Sequence, residues 1–142
     1  MKPTLFLRIA SVLAFLFCAG HTTGVFSKPA PGVQAFVVQT MKGNSFNAMG
    51  SIRTFWDFTM GYGLIFSVTL LVHAFLFWHL GNLVKTEGTR LRPIFALLFV
   101  EFAAQAPIAG RYFFLGPCIG SAIIAACLAV AWVTASRGLP AA

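Results

Sequence analysis

Two side chains sit in surroundings that do not suit them, and they are where chemistry could occur. Glu101 lies in an apolar run from Pro93 to about Ala109, with Gln105 close by in the same run. His73 lies in another such run, Phe58 to Leu80. Ionisable groups among apolar neighbours are costly, so each calls for a partner and a purpose. A carboxyl and an imidazole within hydrogen-bond reach can move a proton to and from a substrate. Glu101 and His73 are therefore the candidate catalytic residues. The plainer alternative is a neutral acid hydrogen-bonded to His73 or Gln105, which would lock two helices together.

A second group stands where apolar runs begin or end: His21, Arg53, Asp57 and Arg111. One acid among two arginines and a histidine leaves a net positive pocket, suited to a lipid phosphate or another anionic head group. The alternative is that each residue anchors a helix end in water. No cofactor and no metal is expected. Two histidines could hold haem only at equal depth on facing helices, and His21, His73 and His79 fall at different depths. His73 and His79 are also six residues apart and point in different directions, which disfavours zinc. Cys18, Cys118 and Cys127 form no CxxC pair, so a dithiol relay has nothing to work with. They read as small hydrophobes, with a Cys18–Cys118 bridge left open.

The elements that must position these residues follow from composition. Of 142 residues, 58% are hydrophobic, 9% are charged and 16 are Phe. A soluble domain spends about a quarter of its residues on charge, so this chain lacks the polar surface that water requires. The net charge is +7, but the Lys and Arg residues are scattered at segment ends. They build no basic stripe, which excludes nucleic acid as a partner. The expected class is all-α: a polytopic membrane protein, a four-helix transmembrane bundle forming a single membrane domain over 1–142. The spans are expected at about 5–26, 58–80, 93–109 and 112–135, each near the ~20 apolar residues a bilayer demands. The first span could instead be a cleaved signal peptide, with Lys2 and Arg8 as its charged start. Its apolar run continues past Gly20 to Phe26, long enough to cross.

The extramembrane loop 27–57 opens with Lys28-Pro29-Ala30-Pro31-Gly32, which ends a helix. Val33 to Lys42 then sets Val33, Phe36, Val37 and Met41 on one face, as in a short amphipathic helix lying on a membrane surface. Gly43 to Gly50 reads as a turn, Gly81 to Arg92 as the second loop, and Gly110-Arg111 as a tight third turn. Lys and Arg number six at the two termini and second loop, and four elsewhere. That bias places both termini in the cytoplasm. Glu101 then lies ~12 Å from the inner face, and His73 at similar depth. Gly116, Gly120, Ser121, Ala125 and Ala129 could let helix backbones approach closely, within the bundle or in a homo-oligomer.

His21-Thr22-Thr23-Gly24, Met41-Lys42, Arg53 through Gly63, and Tyr112-Phe113-Phe114 followed by Pro117 resemble a family of small, uncharacterised four-helix bacterial membrane proteins. The resemblance covers nearly the whole chain and implies a bacterial cytoplasmic membrane. It brings no activity, but it groups His21, Asp57 and the Gly61–Gly63 pair in one pattern. Three functions compete: binding of membrane lipids or a partner without catalysis; an intramembrane enzyme acting on a lipid or isoprenoid through Glu101 and His73; and a proton-coupled transporter. The last is weakest, because the fourth span offers no polar path.

Overall fold

The Lys28–Gly32 breaker stops the first helix as its composition dictates. α1 runs Pro3–Val25 and α2 runs Val33–Gly43. Gly32, at φ 91°, supplies the left-handed residue that starts α2. After α2 come two strands, β1 Ser45–Ala48 and β2 Ser51–Thr54, then α3 Phe55–Tyr112 and α4 Leu115–Thr134. This structure, a computed structural model, describes residues 2–135. Met1 and residues 136–142 lie outside them, including Arg137, which enters the charge count above. Among the described residues the fold is all-α apart from one small hairpin. α1, α3 and α4 are each long and apolar enough to cross a membrane.

By its contacts the chain, expected as one domain, divides into two compact units. One comprises Met1–Phe17 with Leu70–Ala142; the other is Cys18–Thr69. The governing feature is α3, whose residues from Leu70 onward belong to the first unit. Its 58 residues would reach about 87 Å if straight. They do not run straight, because Glu87 leaves helical geometry at φ −115°, ψ 22°. His73 and Glu101 each lie fourteen residues from Glu87, so a straight helix would part them by about 42 Å. They are 3.2 Å apart. The chain therefore doubles back at Glu87, and residues 55–86 and 88–112 form two arms.

The second loop expected at Gly81–Arg92 is thus helical. Hydropathy marks where a helix is apolar, not where it ends, and these residues include no proline. Pro93, expected to open the third span, lies inside the second arm. Gly88 follows the corner because there is no room for a side chain. A Cβ there would meet the Ala135 carbonyl oxygen at 2.7 Å.

Buried positions recur at three- and four-residue spacing, the mark of a single helix face. The arms contribute Ala74, Phe77, Leu80, Val84, Phe95, Leu98 and Phe102; α1 adds Leu7, Ala10 and Ala14; α4 adds Ile124, Ala125, Leu128 and Ala131. Arg8, anomalous in an apolar run, lies over the Trp78 ring at 3.3 Å and donates to Asn82 Oδ1 at 2.6 Å. Ser11 donates to the Ala74 carbonyl at 2.7 Å. Part of the small-residue face of α4 packs here. Ser121 and Ala125 are buried, Gly120 faces Phe17, Ala129 is half-buried and Gly116 is exposed. Outward positions are apolar instead, among them Leu97, Val100 and Ile108 on the second arm. Water solvates such a surface poorly. The three cysteines are free, and no Cys18–Cys118 bridge forms.

In the second unit, the turn expected at Gly43–Gly50 is a hairpin. Ala48 pairs with Ser51, leaving Met49-Gly50 as a two-residue loop. Both have positive φ, 52° and 90°, as a type I′ turn demands. Asn47 Oδ1 accepts the Gly50 N–H at 2.7 Å. β2 feeds directly into α3 through a reciprocal cap. The Thr54 N–H donates to Asp57 Oδ2 at 2.8 Å, and the Asp57 N–H donates to Thr54 Oγ1 at 3.1 Å. That is a capping box with aspartate as its acid. α2 buries no residue; Val33, Phe36 and Val37 remain exposed.

Candidate functional site

The hairpin and the first turns of α3 build a groove within the second unit. Register pairs Arg53 with Phe46 across the strands. The Phe46 ring stacks on Phe58 at 5.9 Å and leans on Phe55 at 4.8 Å. This seats the hairpin against α3 and sets Arg53 beside the start of its apolar run. Lys42, at the end of α2, adds a cation–π contact to Trp56 at 4.5 Å. The groove has a volume of about 320 Å³ and is lined by Arg53, Asp57, Phe58, Gly61, Tyr62 and Ile65. From Asp57 onward these residues recur along one side of a helix. A Cβ added at Gly61 would meet nothing within 4 Å, so the notch at Gly61 is open space.

Asp57 lies ahead of the apolar run that begins at Phe58. The Thr54 backbone N–H holds its carboxyl below the ordinary aspartate range, helped by the Thr54 hydroxyl and the Arg53 charge against a small burial effect. A folded value below the unfolded one stabilises above the unfolded value and is lost as pH falls through the folded one. The cap should therefore be constant above about pH 5 and weaken below about pH 4. Amide-exchange protection at Thr54, corrected for intrinsic rates, should fall across that range in wild type. In Asp57→Asn, whose amide still accepts a bond, it should stay level; a fall in both proteins would refute this origin.

The four residues read from the sequence as one outer cluster have separate partners. Arg53 and Asp57 share the groove. His21 instead donates from Nε2 to the Gly63 carbonyl at 3.1 Å, with its ring edge-on to Phe66 at 4.9 Å. The same carbonyl accepts Ser67 Oγ at 3.1 Å, and Thr22 Oγ1 donates to Ser67 at 2.9 Å. Gly63 permits this seam, since a Cβ there would press on Val25 Cγ2 at 2.8 Å. Arg111 belongs to the other unit, where its guanidinium lies 5.6 Å from the Tyr112 ring centre. Phe58, Tyr62 and Ile65 were not singled out in the sequence, though their helical spacing after Arg53 and Asp57 was a usable signal. So was Thr54-x-x-Asp57 before an apolar run, which marks a helix start.

The first unit holds the acid–imidazole pair. His73 Nε2 and Glu101 Oε2 are 3.2 Å apart, their side chains 11% and 37% exposed. Gln105 Nε2 donates to Glu101 Oε1 at 3.1 Å. Phe77 stacks on the imidazole at 5.6 Å and Phe102 meets it edge-on at 5.2 Å. Buried His73 Nδ1 and Gln105 Oε1 have no hydrogen-bond partner among the described residues. His79 is exposed. Among the described residues no three His, Cys, Asp or Glu side chains gather as a metal site would require. No protein-family model, no curated protein and no solved structure matches the chain.

Proposed function

We propose that this is an integral membrane protein that holds a phospholipid in the Arg53–Asp57 groove. Four spans are available: α1, the two arms of α3, and α4. The apolar outward surface supports lipid as their solvent, since helices satisfy their backbone groups internally. The burial of Leu7, Ala10 and Ala14 supports a retained first helix. The positive-charge bias supports cytoplasmic termini, with the groove opening at the outer boundary of a bacterial cytoplasmic membrane. The observation that carries the lipid reading is the groove itself. Charged groups lie at the start of α3, and an apolar wall follows along the helix, which is the order in which a phospholipid presents head group and acyl chain.

Native mass spectrometry of the detergent-purified protein tests this. Wild type should retain a phospholipid adduct that Gly61→Leu loses at least several-fold. The added side chain enters open space, and replacing a helical glycine with leucine stabilises by about 0.8 kcal/mol. The variant should therefore be no less stable than wild type. An adduct unchanged in Gly61→Leu, or absent from wild type, would defeat the proposal.

One observation favours a second reading, an intramembrane enzyme acting on a lipid or isoprenoid. Glu101 is partly open to the outside while touching an imidazole, the arrangement that proton transfer to a lipid-borne group needs. Its test is turnover of such a substrate that Glu101→Gln abolishes.

A further inference from the structure

The groove carries two opposite charges that form no ion pair with each other. Arg53 and Asp57 line the same space, yet among the described residues the ion pairs are His73–Glu101 and Arg90–Glu87. Arg53 spends Nη1 on the Ile52 carbonyl at 2.8 Å, which leaves most of its guanidinium N–H groups for another acceptor. Asp57 spends Oδ2 on the Thr54 N–H, which leaves the second carboxylate oxygen. Both residues are exposed.

We infer that the groove selects a zwitterionic phospholipid whose head group ends in a primary ammonium, with the phosphate on Arg53 and the ammonium on Asp57. This rests on the lipid reading above. Charge complementarity separates the candidates. A net-anionic head group would satisfy Arg53 but set no cation against Asp57. A trimethylammonium would supply the cation but no N–H, so it could not donate to the carboxylate. A primary ammonium supplies both, and its hydrogen bond to a carboxylate is of the strong, charge-assisted kind.

The experiment offers detergent-purified protein an equimolar mixture of dioleoyl phosphatidylethanolamine, phosphatidylcholine and phosphatidylglycerol, and reads adducts by native mass spectrometry. Wild type should prefer phosphatidylethanolamine about fivefold, the worth of one charge-assisted bond discounted for an exposed site. Asp57→Asn, which retains an acceptor for the cap, should erase that preference. Arg53→Gln should weaken all three lipids together. Thr54→Val removes the threonine hydroxyl from the cap but leaves the Asp57 charge, and should keep the preference. Equal retention of the three lipids, or preference for choline or glycerol, overturns the head-group assignment and leaves the lipid reading standing. Absence of every adduct from wild type overturns both.

Discussion

Phe102→Ala is expected to destabilise the fold by about 2–3 kcal/mol, whereas Leu97→Ala on the same arm should cost under about 0.5 kcal/mol. Phe102 is fully buried and Leu97 is 72% exposed. In a bilayer the exposed alternative is also apolar, so transfer from water contributes little and lost packing dominates. If roughly 100 Å³ stays open at about 24 cal/mol per Å³, the cavity alone costs about 2.4 kcal/mol. Phe102 also lies 5.8 Å from Phe77 and meets the His73 ring edge-on, so its loss removes two aromatic contacts at once. Phe102→Leu should recover about half. Unfolding in mixed detergent micelles measures all three variants. Similar losses for Phe102→Ala and Leu97→Ala would show that this helix face is not the core.

Helices were legible where residues are apolar and illegible where they are not. The run Phe58–Leu80 announced an arm of α3, but Gly81–Arg92 looked like a loop because charge was mistaken for a break. Only Glu87 departs from helix there, and nothing about a glutamate marks a corner. The following Gly88 was the better signal. The hairpin escaped because its turn is Met49-Gly50, and a non-glycine residue at positive φ is seldom methionine. An Asn-Gly turn would have been read at once. The His73–Glu101 contact was foreseeable, since equal spacing from a common turn puts two residues side by side once helices fold back. The outer group of charged residues was legible in part, since Arg53 and Asp57 do line one groove. Residue types at helix ends do not reveal partners: Asp57 and Arg111 engage Thr54 and Tyr112, close by in the chain, whereas His21 bonds the distant Gly63 carbonyl.

Whether the His73–Glu101 pair serves the fold or some chemistry can be decided by removing it whole. His73→Leu alone should cost about 2 kcal/mol, because it strips an acid among apolar helices of its basic partner. That is below the 3–5 kcal/mol typical of a broken buried pair, since the Glu101 side chain is 37% exposed and keeps its bond from Gln105. Glu101→Leu alone should cost about half as much, because the imidazole left behind keeps its packing against Phe77 and Phe102. The double variant should return to within about 0.5 kcal/mol of wild type, or exceed it, since leucines impose no desolvation cost. It also removes the buried His73 Nδ1 that has no partner among the described residues. Losses that simply add would mean the two residues are not coupled, and the 3.2 Å contact would carry no energy. Recovery of stability in the double variant means that the fold does not need this pair. Loss of lipid turnover in that same stable variant would then identify the contact as chemical.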